Sequence, residues 1–339
     1  MSTDLYFAPL LTWQHKAWQQ LIGQFVSHHL PHGLLAAGMA GIGKRAFVWR
    51  LTAYLLCQNR NEQGACGACD SCHWLMAGTH PDLMVLPAAS KLGTDGGDDT
   101  IKIDDIRELQ VYSQSKGHGA KVIVLDHADT LTIAAANALL KTLEEPRYGV
   151  FLILISDYPS RLLPTIKSRV QLLPLTQIDT AAANAYLDEQ GVANAQMLLD
   201  IAEGAPLMAQ MLADEAWFAE RMNWLKTLIA LQSGMRTPSQ ASSFWQEKLP
   251  LAQFIHLSRM MVLELWRYAS GLPCLHTDLD LHALFQGGAI NTAVLDRLSQ
   301  TLDDVQSAIS QNIQEKIAYD RLMVAMVGVS SYFVSAEDL

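Results

Sequence analysis

Charged residues are scarce in this sequence of 339 residues, and the basic ones are outnumbered by the acidic ones. Only 17% of the residues are Asp, Glu, Lys or Arg and 50% are hydrophobic, whereas soluble domains usually carry roughly 25% charged residues. This composition excludes intrinsic disorder as the main state. Because the sequence contains 24 Lys and Arg and 34 Asp and Glu, its net charge is −10. The chain as a whole therefore lacks the basic excess typical of an autonomous nucleic-acid binder.

Long apolar runs are missing as well. The longest run near the carboxyl end covers 13 residues, 322–334, and a membrane-spanning helix needs about 20. The first ten residues lack the basic segment and apolar run of a secretory signal. We therefore expect a cytoplasmic protein without membrane contact. At roughly 100–200 residues per domain, the length predicts two or three domains.

Strand-like patterns are confined to the first half of the chain. Short apolar runs lie at residues 34–37, 83–86, 122–125 and 151–155. Segments with helical periodicity lie between them, and this alternation predicts a parallel α/β sheet. After about residue 177 only helical patterns remain. The first 177 residues hold 15 basic and 15 acidic residues, so the remaining 9 and 19 carry the whole net charge of −10.

A glycine-rich loop, GMAGIGK at residues 38–44, follows the first predicted strand and opens a predicted helix. This spacing is typical of a P-loop, in which backbone N–H groups and a lysine hold nucleotide phosphates. The candidate phosphate-binding residues are Gly38, Gly41, Gly43 and Lys44. The second candidate element is Asp126, which follows the strand at residues 122–125 as the magnesium-binding carboxylate of an ATPase would.

Two expected catalytic groups are absent. The residue after Lys44 is Arg45 instead of Ser or Thr, and a guanidinium has no lone pair for Mg²⁺. The neighbour of Asp126 is His127 instead of a glutamate base. Three interpretations follow: an ATPase with unusual ligands, a former nucleotide site kept as scaffold, or a glycine turn unrelated to nucleotides. We favour the second, in which Lys44 leaves room only for weak, unproductive binding of ATP or ADP.

Four of the five cysteines are clustered. Cys57, Cys66, Cys69 and Cys72 are spaced by 9, 3 and 3 positions, and four thiolates so placed can surround one tetrahedral Zn²⁺. Free or redox-active thiols and an iron–sulfur site are the alternatives. Since four ligands close the coordination shell, we expect a structural zinc knuckle at residues 57–72.

Several motifs resemble those of the bacterial clamp-loader AAA+ subunits. The most specific is AAANALLKTLEEP at residues 134–146, and PHGLL at 31–35 and GTHPD at 78–82 fall in the family's order. The resemblance covers about residues 1–210 and extends more loosely over the helical carboxyl-terminal half. It implies an AAA+ P-loop α/β domain at 1–177, a small helical lid at 178–215 and an all-α collar or oligomerisation domain at 216–339.

The resemblance also implies partners and a role for one arginine. Members of the family form a hetero-pentameric ring, here with delta and gamma/tau subunits, that loads a sliding clamp onto primed DNA. SRV at residues 168–170 is similar to the family's Ser-Arg-Cys motif, so Arg169 is the expected trans-acting arginine finger for a neighbouring subunit. A surface arginine in a local ion pair is the alternative.

The lid differs from that of the hydrolysing members. Where they have Gly-x-x-Arg, this chain has GAPL at residues 204–207. Together with Arg45 and His127, this favours a non-hydrolysing member over a gamma/tau-type ATPase. A free-standing zinc-bearing nucleic-acid binder is the third hypothesis. The carboxylates Glu144 and Glu145, next to Pro146, are interpreted as interface or helix-end residues.

Overall fold

The computed structural model describes residues 3–87, 100–117, 119–285, 288–309 and 314–329. The chain forms two compact units. The first comprises Met1–Gly191 and Gly204–Met208, and the second comprises Val192–Glu203 and Ala209–Leu339. The division into three domains, at residues 177/178 and 215/216, stays a prediction.

The first unit is built on a five-stranded parallel sheet. Its strands are β1 (Gly33–Ala37), β2 (Leu83–Leu86), β3 (Lys121–Leu125), β4 (Val150–Ser156) and β5 (Gln171–Leu172), in the order β2-β3-β4-β1-β5. Every residue of β1 and β3 is buried, as expected for parallel strands covered on both faces by helices. The predicted α/β sheet is confirmed.

Among the described residues, seven α-helices accompany the sheet. They are α1 (His15–Val26), α2 (Lys44–Leu56), α3 (Asp70–Met76), α4 (Ile103–Gln114), α5 (Ile133–Glu144), α6 (Pro164–Lys167) and α7 (Thr180–Glu189). At the start of α5, the Thr132 hydroxyl accepts a hydrogen bond from the Ala135 N–H at 3.2 Å, a favourable N-cap. Leu139 and Leu143, spaced by four, belong to the core beneath the sheet. This packing fixes α5 and therefore the position of its last residue, Glu144.

Because all strands are parallel, the sheet has two chemically distinct ends. The glycine-rich loop and the residues that follow β3 and β4 lie at the carboxyl end. At the amino end, His32 precedes β1 and its Nε2 lies 2.9 Å from the Leu143 carbonyl oxygen. Gln171 of β5 pairs with Leu34 near the start of β1. The segment just before β5 therefore lies at the amino end.

The second unit is helical. Its helices are α8 (Ala195–Ile201), α9 (Pro206–Asp214, whose first turn belongs to the first unit), α10 (Arg221–Gln232), α11 (Pro238–Lys248), α12 (Leu251–Ala269), α13 (Leu281–Phe285), α14 (Thr292–Ile309) and α15 (Glu315–Met326).

Buried tryptophans tie these helices together. Trp224 of α10 donates its indole N–H to the Ser258 hydroxyl at 3.0 Å, and Trp245 of α11 donates to the Thr227 hydroxyl at 3.0 Å. The predicted helical second half is confirmed. Among the described ranges, none of the helices has both the length and the apolar character that crossing a bilayer requires.

Candidate functional site

The glycine-rich loop connects β1 to α2 in the manner of a P-loop. Gly38, Gly41 and Gly43 all have positive φ angles, which glycine adopts without steric cost. At Gly43, which precedes Lys44, a Cβ atom would lie 2.5 Å from the Leu11 side chain. The predicted strand–loop–helix context is thus present, and the backbone conformation at these positions favours glycine.

Lys44 does not project into an open phosphate site. Its side chain is only 2% exposed and its ammonium forms an ion pair with Asp157. It also donates to the Met39 carbonyl at 2.9 Å. Burial lowers the pKa of Lys44 below its ordinary value. The charge that would meet a nucleotide phosphate is already paired inside the protein.

Arg45 joins both carboxylates at this end of the sheet. Its Nε donates to Asp126 Oδ1 at 3.0 Å, and its Nη2 donates to Asp157 Oδ2 at 2.8 Å. The same Nη2 lies 3.2 Å from His127 Nδ1. Lys44, Arg45, Asp126 and Asp157 form one cluster of two positive and two negative side chains, here called the P-loop ion cluster.

The cations of the cluster stabilise the ionised form of Asp157 and occupy the carboxylate of Asp126. Burial by itself would raise the pKa of Asp157, but the hydrogen bonds from Arg45 and Lys44 outweigh it and lower the pKa. Asp126 is buried more completely than Asp157, and its carboxylate is held by Arg45. The guanidinium of Arg45 therefore already occupies this carboxylate, and since an arginine is always protonated and has no acceptor, it cannot itself hold a metal ion.

Residues remote in sequence bond to the loop backbone. The Leu207 N–H donates to the Gly41 carbonyl at 3.0 Å, and a Cβ at Gly41 would lie 2.6 Å from Met208. Leu207 stands where hydrolysing members are expected to carry an arginine. On the amino-terminal side, Gln14 donates to the Gly43 carbonyl at 3.0 Å. The loop is therefore packed between two segments of its own unit.

Sequence reasoning missed Asp157. It directly follows β4, just as Asp126 directly follows β3. Because the carboxyl ends of neighbouring parallel strands meet at one edge of a sheet, its position after an unbroken apolar strand was the signal that could have found it.

The four clustered cysteines converge as predicted. Their sulfur atoms lie 3.6 to 3.9 Å apart in the four measured pairs and all within 4.8 Å of one another. Disulfide sulfurs would be about 2.05 Å apart. Ligands about 2.3 Å from a tetrahedral zinc would be about 3.8 Å apart. Cys57, Cys66, Cys69 and Cys72 therefore fit a metal ion, and they can hold one.

Arg169 lies at the amino end of the sheet, opposite the P-loop ion cluster. Its Nε and Nη2 donate to Glu144 Oε1 at 2.9 and 2.5 Å, and its Nη1 donates to the Thr165 carbonyl at 3.0 Å. The Arg169 side chain is 35% exposed and that of Glu144 is 51% exposed. The local ion pair considered from the sequence is present, and the guanidinium also reaches solvent.

Comparison with known proteins identifies the family. Residues 13–179 match the family described as DNA polymerase III, delta subunit. The chain is 38% identical to the DNA polymerase III subunit delta' of Pseudomonas aeruginosa over 252 residues, 72% of this chain and 74% of that one. It is 34% identical to the same subunit of Yersinia pestis over 295 residues, 74% of this chain and 84% of that one. The chain belongs to the DNA polymerase III delta' subunit family.

The tau subunits are more distant relatives of this delta' family member. The Escherichia coli tau subunit is 32% identical over 198 residues, 55% of this chain and 29% of that one. Among solved structures, a DNA polymerase III gamma subunit-related protein from Thermotoga maritima aligns with a TM-score of 0.42 at 16% identity, covering 92% of this chain and 98% of that one. The predicted resemblance to clamp-loader subunits is confirmed by the delta' relatives.

Proposed function

We propose that this chain is a non-hydrolysing, delta'-type subunit of the DNA polymerase III clamp loader. In this proposal it assembles in the cytoplasm with delta and gamma/tau subunits into a hetero-pentameric ring that loads the sliding clamp onto primed DNA. The observation that carries the non-hydrolysing assignment is the ion pair between Arg45 and Asp126, 3.0 Å long. It occupies the carboxylate that the sequence pattern suggests for Mg²⁺ at this loop.

The rest of the cluster supports an idle nucleotide site. To bind phosphate in the P-loop manner, Lys44 would have to leave Asp157, which would then remain with Arg45 alone in a largely buried place. Loss of one of the two cations that hold Asp157 costs free energy. A nucleotide would have to offset that cost, which disfavours phosphate binding at Lys44.

The alternative is a gamma/tau-type ATPase, and ATP turnover by the purified chain separates the two. We expect no Mg²⁺-dependent hydrolysis by the isolated chain. A measurable rate that is abolished by Lys44→Ala would overturn the proposal, because it would require Lys44 to contact phosphate.

Arg169 is proposed to act on a neighbouring subunit's nucleotide. It lies beside the start of β1, whereas the glycine-rich loop follows the end of β1, and five residues of strand span about 16 Å. An arginine so placed cannot reach its own P-loop, but it can reach a partner that packs against the amino end of the sheet. Such arginines stabilise negative charge on the phosphoryl group in transfer.

The cysteine cluster is proposed to hold a structural zinc ion. Cys57, Cys66, Cys69 and Cys72 would supply four thiolates, and zinc would crosslink the segment between α2 and α3. Since four protein ligands leave no open coordination position, the site would have no hydrolytic role.

Assembly is tested by mixing the chain with purified delta and gamma/tau subunits and measuring the mass of the product. We expect one defined heteromeric species. Free subunits at micromolar concentration of each component would contradict the proposed ring. Salt-dependent DNA binding by this chain alone would instead favour a free-standing nucleic-acid binder.

A further inference from the structure

The guanidinium of Arg169 is largely occupied within its own subunit. An arginine has five N–H donors. Nε and Nη2 each donate to Glu144 Oε1, and Nη1 donates to the Thr165 carbonyl at 3.0 Å and lies 3.4 Å from the Ser168 hydroxyl. These four contacts engage four of the five donors. A second anion would therefore have to share the guanidinium with groups of the same subunit.

A phosphoryl group would compete for these same donors. Arginine recognises phosphate and carboxylate through the same paired N–H geometry. Nε and Nη2 form one such pair, and the carboxylate of Glu144 holds both. A neighbour's phosphoryl group can take this edge of Arg169 only when Glu144 has released it.

The backbone on both sides of this ion pair is fixed. Glu144 ends α5, and the residue before it, Leu143, is buried in the core. The carbonyl oxygen of Leu143 lies 2.9 Å from His32 Nε2. On the other side, the Arg169 N–H donates to the Ile166 carbonyl at 3.0 Å. The exchange of partners therefore needs rotation of exposed side chains and no rearrangement of the fold.

We propose that Glu144 is a positioning residue that withholds Arg169 from a neighbouring subunit's nucleotide until that nucleotide's phosphoryl group displaces it. The proposal rests on the trans role of Arg169 proposed above. In this proposal, Glu144 keeps ATP hydrolysis at the neighbouring subunit's site slow until the ring has closed correctly.

The test is ATP hydrolysis by the reconstituted assembly, measured without and with the sliding clamp and primed DNA. Glu144→Gln keeps the size of the side chain and removes its charge. We expect the unstimulated rate to rise about two- to fivefold, the bias that an exposed ion pair can exert, while the stimulated rate changes little. The stimulation ratio falls by the same factor.

Two variants serve as controls. Glu144→Asp keeps the negative charge, and we expect it to keep the unstimulated rate close to that of the unaltered assembly. Glu189→Gln removes an exposed carboxylate at the end of another helix of the same unit, α7, and we expect neither rate to change. Melting temperature and assembly of each variant, measured alongside, separate an altered rate from a loss of folded protein.

The outcomes distinguish this proposal from the one on which it rests. An unstimulated rate that stays the same or falls with Glu144→Gln, while Arg169→Ala lowers the stimulated rate, overturns the withholding role and leaves the trans role standing. A stimulated rate unchanged by Arg169→Ala overturns the trans role itself, and the proposal for Glu144 with it.

Discussion

The two ends of the sheet each hold an arginine against a carboxylate, in different surroundings. The arginines are about equally accessible, with Arg45 32% and Arg169 35% exposed. Their partners differ: Asp126 is 6% and Asp157 15% exposed, whereas Glu144 is 51% exposed. A buried carboxylate cannot be left without its cation, whereas an exposed one can be hydrated instead.

Under the function proposed above, this difference accounts for an idle nucleotide site and a working arginine in one subunit. At the carboxyl end, the P-loop ion cluster stays paired because separating any of its charges from its partner would leave a poorly hydrated charge. At the amino end, release of Arg169 exposes Glu144 to water at little cost. Burial of the partner, more than the ion pair itself, decides whether an arginine is a structural or an exchangeable group.

The largest expected effect comes from the other buried cluster, the four cysteines. Removal of the metal by a chelator, or Cys72→Ser, should lower the free energy of unfolding by more than about 5 kcal/mol, since structural zinc contributes about 10–16 kcal/mol in small fingers. Metal analysis of the purified chain, with thermal melting before and after chelation, measures it.

Cys274→Ser is the matched control for this change, because Cys274 lies outside the cluster. We expect it to leave the metal content intact. A purified chain that contains no zinc and melts at the same temperature with chelator would contradict a structural metal.

Asp157→Ala should have the next largest effect. It leaves the buried ammonium of Lys44 without its carboxylate, and loss of one partner of a buried pair costs roughly 3–5 kcal/mol. Chemical denaturation of the variant measures the change. Asp188→Ala, at an exposed position of α7, is the control and should change stability by less than about 0.5 kcal/mol. Equal effects of the two variants would mean that the cluster does not stabilise the fold.

The same carboxylate predicts an acid dependence of stability. The pKa of Asp157 lies below its ordinary value of 3.8 in the folded protein, so its contribution is present above pH 3.8. That contribution is lost as the pH falls from the ordinary value through the lowered one. Asp157→Asn should therefore flatten the fall in unfolding free energy below about pH 4. An identical acid profile for both proteins would contradict the ion pair with Lys44 and Arg45.

The smallest effect is expected at the amino end. Glu144→Ala should lower the free energy of unfolding by less than about 1 kcal/mol, because its ion pair with Arg169 is exposed to solvent. Chemical denaturation measures this as well. A loss as large as that expected for Asp157→Ala would show that the two ends of the sheet do not differ in the way described here.

Sequence reasoning found the parts of this fold that local patterns encode. The unbroken apolar runs of β3 and β4 predict buried strands, and the spacing of the glycines and cysteines predicts their loops. Each of these signals lies within about 20 residues of chain. They were sufficient for the sheet, the P-loop and the convergence of the four thiolates.

The remaining features depend on contacts between distant segments. Leu207 donates to Gly41 across 166 positions, and Asp157 meets Lys44 across 113. No local pattern encodes such pairs, since they arise only when the strands are placed side by side. For the same reason Glu144 was recognised as a helix-end residue, while its bond to Arg169, 25 positions away, became visible only in the folded chain.

The central claim is that the arginine at the amino end of the sheet serves catalysis and the lysine at the carboxyl end does not. The most direct test is clamp- and DNA-stimulated ATP hydrolysis by the reconstituted assembly with Arg169→Ala or with Lys44→Met. With Arg169→Ala, we expect the nucleotide site that receives this arginine to slow by about 10³-fold or more. The total rate then falls by at least that site's share, whereas with Lys44→Met the rate per assembled ring stays unchanged, with melting temperature and assembly of the variant measured alongside. A full rate with Arg169→Ala and a reduced rate with Lys44→Met would contradict the account.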